Sequence, residues 1–215
     1  MSDSRPPYDV VLRMNRISFA EFDAWTTRQE RLIRDNAFFD AAHAFEDEGV
    51  MFHHGDLVVD ELMVAPVTVI DGNVSARKIG YLYDVGLLVV TGNLTCEHIG
   101  RMSFDVIVGG DLHAQSVCVN TSNVYLLRVG GDITCDFFSE YGCAVEVQGR
   151  IICPKVLSLM NEVVAHGGIE GELIDNFRGK DVAQVLVSEV LTDDGYFDEE
   201  KFEACVRSGK SPYKA

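Results

Sequence analysis

Asp111 and Asp132 hold equivalent places in two successive copies of a short repeat, so stacking of the copies would bring their carboxylates together. Paired carboxylates are groups used in general acid–base work, where a positioned side chain gives or takes a proton. Their counterparts in neighbouring copies are Asn73, Asn93 and Arg150. A column that mixes amides, carboxylates and a guanidinium reads instead as a polar corner ladder, tolerable for like charges only where it is solvated. The histidines, His43, His53, His54, His98, His113 and His166, are scattered. Adjacent His53 and His54 would point to opposite faces of a strand, so no joint metal site is expected. Asp193-Asp194-Gly195 has the outline of a calcium loop, but Val190 stands in the first ligand place and Lys201 in that of the terminal bidentate acid, so it reads as a turn. No catalytic residue, metal or cofactor is assigned from these patterns.

The element that would position such residues is the repeat itself. An apolar residue, any residue, Gly, a polar residue and a second apolar residue recur at Ile70–Val74, Val90–Leu94, Val108–Leu112, Val129–Ile133, Val147–Ile151 and Ile169–Leu173, with Gly-to-Gly spacings of 20, 18, 21, 18 and 22. A small residue follows two places later at Ala76, Cys96, Ala114, Cys135 and Cys153, and an apolar one stands seven places after the Gly at Ile79, Ile99, Val117, Phe138 and Val156. Upstream, Leu88 and Val90, Val106 and Val108, Leu127 and Val129, and Val145 and Val147 alternate with period two. Such alternation of branched residues marks half-buried strands, and a fixed period of this size marks a solenoid. Leucine-rich repeats share the period but require Leu at several fixed offsets and a helical or turn segment in each unit. The chain is therefore read as a mainly β protein, a single-stranded β-helix of about six to seven rungs and roughly 30 Å long. The missing strict hexapeptide repeat favours a right-handed one. Gly at each corner is expected to supply positive φ or close backbone approach.

The flanks read as covers. Ser18-Phe19-Ala20-Glu21 has the form of a capping box, and Phe19, Phe22 and Trp25 follow at helical spacing, predicting a helix over 18–34. A second helix is predicted over 36–47, and His53-His54-Gly55-Asp56-Leu57 reads as a worn repeat that opens the solenoid. Residues 179–187 read as a last strand-like segment. Asp198 is placed to N-cap a helix carrying Phe202, Cys205 and Val206, ended by Gly209 with Pro212 beyond. The division is thus 1–50 as an N-terminal helical cap, 51–190 as solenoid, and 191–215 as a C-terminal turn and short helix. Helical ends of this kind weigh against open-ended polymerisation.

Acidity limits the partners. Asp and Glu number 34 against 18 Lys and Arg, a net charge of −16, and no third of the chain forms a basic island. Binding nucleic acid through its phosphates is disfavoured, because that affinity comes from clustered Lys and Arg. A basic protein partner is favoured instead. Six cysteines without a CxxC pair or zinc spacing, no apolar run of membrane-spanning length and an N-terminus unlike a signal peptide point to a cytoplasmic protein. The segment between the third and fifth repeats places Asn123, Tyr125, Arg128, Asp136, Phe137, Glu140 and Tyr141 at expected outward or loop positions. Tyr, Phe and Arg beside acids form the composition of a protein-binding face, with one of Phe137 and Phe138 expected to turn inward.

The short strands punctuated at Val90–Leu94, Val108–Leu112 and Val129–Ile133 resemble those of bactofilin-type polymer-forming β-helix proteins and of β-helical proteins encoded beside bacterial polymorphic toxins. The likeness covers about residues 52–187. It implies either of two functions. One is an immunity-type protein that binds and neutralises a basic toxin domain as a monomer or small homo-oligomer. The other is a bactofilin-like structural scaffold that forms polymers, which the helical flanks of this chain do not match. An enzyme would need a cleft of convergent acids or bases, and no such pattern is present.

Overall fold

The computed structural model describes residues 14–27, 49–81, 86–100, 104–175 and 181–214, apart from the side chains of residues 120–124. Fourteen strands form one continuous sheet wound into a β-solenoid of about six turns. One wall of each rung comes from β2 (Val50–His54), β4 (Val67–Asp71), β6 (Leu87–Val90), β8 (Asp105–Val108), the latter part of β9 (Leu112–Val129), the latter part of β11 (Phe137–Val147) and β13 (Val163–Ala165). The other comes from β3 (Leu57–Val64), β5 (Val74–Tyr81), β7 (Leu94–Ile99), the start of β9, β10 (Ile133–Thr134) with the start of β11, β12 (Ile151–Ser158) and β14 (Ile169–Asp175). All these neighbours pair in parallel. The exception is β1 (Asn15–Ile17), which lies antiparallel on β2 and covers the outer edge of that strand.

The apolar period of the repeat becomes columns inside the rod. Ile70, Val90, Val108, Val129 and Val147 stack in register, as do Val74, Leu94, Leu112, Ile133 and Ile151, all in one core. The small column is Ala76, Cys96, Ala114, Cys135 and Cys153; its sulfurs are free thiols, and that of Cys153 donates to the Lys155 carbonyl at 3.2 Å. Burial pushes the Cys96 thiol up to about 12, so Cys96 acts as a small hydrophobe rather than a nucleophile.

At five corners the glycine serves close approach and not unusual φ, whereas Gly171, read from the sequence as the sixth, has a φ of 147°, and the residue that stacks on Gly149 is Gly167, its amide donating to the Gly149 carbonyl at 2.8 Å. Positive φ occurs at Gly55, in the worn repeat, but not at Gly72, Gly92, Gly110, Gly131 or Gly149. These five hydrogen-bond along the axis instead, each amide donating to the preceding glycine carbonyl at 2.9–3.0 Å from Gly92 to Gly149. A Cβ on Gly131 would meet the backbone of Gly110 at 2.9 Å and the Asp111 carboxylate.

Both flanking helices are present, and each lies along the side of the rod. Helix α1 (Phe19–Thr26) carries the expected capping box, with the Ser18 amide donating to Glu21 at 2.8 Å and the Glu21 amide donating to the Ser18 hydroxyl at 3.3 Å. Its Phe19, Phe22 and Trp25 pack on Val50, Val67, Val69, Leu87, Val89 and Ile107, the outward side chains of four successive rungs. Burying Phe22 completely stabilises this docking by about 1.5–3 kcal/mol. The rest of the helix predicted to residue 34, and the one predicted over 36–47, fall outside the described residues. At the other end, 182–185 form a short helix, α2 (Val182–Val185), where the sequence predicts a strand. The Asp181 side chain accepts the Ala183 amide at 3.0 Å, and this local cap outweighs the apolar alternation. Helix α3 (Glu199–Arg207) starts at Asp198 as expected, and its Phe202 and Val206 join Cys118, Leu157 and Ile174 on the outer side of the second wall.

Replacing Gly131 by Ala is expected to destabilise the fold by about 1–3 kcal/mol, because backbone must move to admit the methyl group. Urea unfolding beside Ser75→Ala on the open surface checks this; equal midpoints would mean that the corner tolerates a Cβ.

Candidate functional site

The two aspartates that could have shared a proton are links in a chain of backbone contacts. Asp56 Oδ1 accepts the Asn73 amide at 2.8 Å, Asn73 Oδ1 that of Asn93 at 2.8 Å, and Asn93 Oδ1 that of Asp111 at 2.8 Å. Asp111 Oδ1 then accepts the Asp132 amide at 2.8 Å, and Asp132 Oδ1 the Arg150 amide at 2.7 Å. The Arg150 amide and then its guanidinium, 2.7 Å from Asp132 Oδ2, hold the Asp132 carboxyl below the usual range. Asp111 and Asp132 thus support the next rung and are not disposed as a proton-sharing pair.

The described histidines are each placed apart. His54 Nδ1 lies 3.1 Å from Asp71, His98 Nδ1 2.9 Å from the Ser116 hydroxyl, and His166 Nε2 3.7 Å from Glu146. Burial, and then the nearby Arg207, lower the pKa of His98. Among the described residues no group of three or more His, Cys, Asp or Glu is arranged to hold a metal ion. His43 is outside the described set.

The residues expected to form one outward binding face are divided between two walls and several depths. Tyr125 and Arg128 lie on the first wall, where Arg128 pairs with Glu146 at 2.8 Å. Asp136 is exposed on the second wall. Phe138 fills the lumen, as expected for one of the phenylalanine pair, while Phe137 and Tyr141 turn outward beneath the C-terminal segment. The Tyr141 ring lies 5.3 Å from that of Phe197. The side chain of Asn123 is outside the described set.

Glu140 departs furthest from expectation, being fully buried. Its Oε1 accepts the amides of Gly142 at 2.6 Å and Cys143 at 3.1 Å; its Oε2 accepts those of Leu159, Met160 and Asn161 at 2.9–3.1 Å. A charge in the interior is sustained here by five oriented N–H dipoles, and it fixes the turns of two successive rungs.

Asp105 is the contrasting case. It is fully buried on the outer side of the first wall, in line with Leu87; Oδ1 accepts the Leu126 amide at 2.7 Å, but Oδ2 has no hydrogen-bond partner. Burial pushes its pKa from 3.8 up to about 8. Nothing in the sequence separates these two acids from solvated ones: Asp105 opens β8, where charge is ordinary, and Glu140 stands beside Tyr141 and Gly142 in a stretch that reads as an outward turn.

No protein family, curated protein or solved structure matches this chain in comparison.

Glu140→Gln is expected to cost about 3 kcal/mol or more, since an amide nitrogen in place of one oxygen strands buried N–H groups at roughly 1–3 kcal/mol each. Urea unfolding measures it, and a change under about 1 kcal/mol on that scale would contradict the anchoring role. For Asp105 the folded state keeps a proton that the unfolded chain has released between pH 3.8 and about 8. Its contribution to stability is therefore complete at low pH and declines as pH rises through that window. Asp105→Asn should flatten this decline in unfolding midpoints measured from about pH 5 to about pH 8, and an unaltered slope would show that Asp105 does not hold the proton.

Proposed function

We propose that this protein is a non-enzymatic binding protein that docks a basic protein partner, in its most concrete form an immunity-type protein that occludes a basic toxin domain. One observation carries the reading. Among the described residues of the solenoid every Lys and Arg is already engaged within the chain. Arg77 pairs with Asp60 at 2.7 Å, Lys78 with Glu61 at 2.9 Å, Arg128 with Glu146 at 2.8 Å and Arg150 with Asp132 at 2.7 Å; the Lys155 ammonium stands 4.8 Å over the Tyr213 ring. Residues 51–190 hold 18 acids against 8 bases, so the charge left facing solvent is negative. On a rigid rod such a field accelerates encounter with cationic surfaces and disfavours nucleic acid.

The antiparallel β1 supports a discrete complex over a polymer, because it covers the β2 edge on which another copy would have to continue the parallel stack. Size-exclusion chromatography with light scattering provides the test, run at two salt concentrations, with the protein alone and mixed with cationic bacterial toxin domains. A fixed mass alone, and a one-to-one complex that dissociates as salt rises, is the expected result. Mass that grows with protein concentration would overturn the reading in favour of a polymer-forming scaffold, and failure of every cationic domain to bind would remove it.

A further inference from the structure

We propose that Cys135 and Cys153 form an oxidation site, a stacked thiol pair in which hydrogen peroxide closes a disulfide between two successive rungs. This goes beyond the reading above and does not depend on it.

Placement makes the pair. The column Ala76, Cys96, Ala114, Cys135 and Cys153 asks for a small residue against the core, and alanine meets that demand in two of its rungs. Two thiols in succession exceed it. β10 runs parallel to β12 with Ile133 beside Ile151 and Thr134 beside Ile152, and the ladder continues with the Cys135 amide donating to the Ile152 carbonyl at 3.1 Å, which sets Cys135 beside Cys153. Parallel strands about 4.7–4.9 Å apart hold paired Cα atoms within the roughly 4.4–6.8 Å that a disulfide spans. The other thiols stand elsewhere. Cys96 lies between Ala76 and Ala114 in the column, Cys118 faces the outer side of the second wall, Cys143 is paired in register with Tyr125, and Cys205 is on α3.

The two sulfurs differ in what surrounds them. As a thiol Cys153 donates to the Lys155 carbonyl at 3.2 Å. As a thiolate it accepts from the Cys135 thiol, and this bond, against burial and with help from the amides of Lys155 and Phe138, lowers its pKa. The same bond, and then burial, raise that of Cys135. Cys153 is therefore the nucleophile and Cys135 the resolving thiol. At 1% and 5% exposure the pair is closed to bulky disulfides, and the oxidant it selects is a small peroxide.

The chemistry takes two steps. The Cys153 thiolate attacks one oxygen of hydrogen peroxide; an S–O bond forms, the O–O bond breaks, and the departing hydroxide leaves as water with the proton that Cys153 released. The Cys135 sulfur then attacks the sulfenic sulfur, forming the S–S bond while the hydroxyl leaves as a second water with the proton of Cys135. Two thiols are oxidised by two electrons, and the peroxide is reduced to water.

The native protein is treated with hydrogen peroxide, its remaining thiols are alkylated in denaturant, and its peptides are mapped by mass spectrometry without reduction. Loss of two of the six thiols and a single disulfide between Cys135 and Cys153 is expected. Cys135→Ala and Cys153→Ala place in each rung the residue that Ala76 and Ala114 already supply, so both should fold. In Cys135→Ala, dimedone should label a sulfenic acid at Cys153; in Cys153→Ala, Cys135 should remain a thiol; and Cys96→Ala should form the disulfide as the wild type does. No disulfide in the wild type, one that engages Cys118 or Cys143 instead, one that forms only in urea, or a dimedone label on Cys135 in Cys153→Ala would each overturn the site.

Discussion

Close approach of successive rungs at one corner is the constraint on which the rest of the structure depends. The walls of a solenoid pair through ordinary ladder hydrogen bonds, but at a corner the chain changes direction and its amides need other acceptors. Here the glycine line supplies one set through its carbonyls and the Asn and Asp side chains supply the other, from Asp56 to Arg150. Each polar residue accepts from its own counterpart, so the register of a rung is set by the rung before it. A side chain at the glycine position would occupy the space of the acceptor oxygen. The glycine and the polar residue after it are therefore one device, and the apolar columns follow from the alignment that it enforces.

The helices complete this scheme from outside. A wall made of Val, Leu and Ile on both faces cannot face water on either, and the first wall is apolar outward at Val67, Val69, Leu87, Val89 and Ile107. Helix α1 resolves this by laying Phe19, Phe22 and Trp25 over four rungs at once, which ties together units that otherwise contact only their neighbours. The C-terminal segment does the same on the second wall through Phe202 and Leu186. Where these covers stop, the outward residues change to Arg128 and Glu146, which pair with each other on the sheet surface.

Repetition makes the fold legible in the sequence. Columns such as Val74, Leu94 and Leu112 can be read because the same residue type returns at the same offset, and the N-caps at Ser18 and Asp198 can be read because capping is local. Docking of the helices is not legible, since an apolar helical stripe says that something is covered but not what. The candidate site is far less readable. Tyr125, Arg128, Phe137, Glu140 and Tyr141 are neighbours in sequence, yet β9 and β11 each run from one wall into the next and carry them to different sides. The outward position expected of Glu140 fails because its five donors come from two separated turns, at 142–143 and 159–161, whose meeting is a property of the tertiary stack.

Stacking also restricts where function can reside. In the interior rungs the corner amides and carboxylates are occupied by the neighbouring rung, the apolar residues by the columns, and the described basic residues by acids on the adjoining strand or, for Lys155, by the Tyr213 ring. A surface so completely engaged with its own repeats offers a partner diffuse charge but few groups that require one.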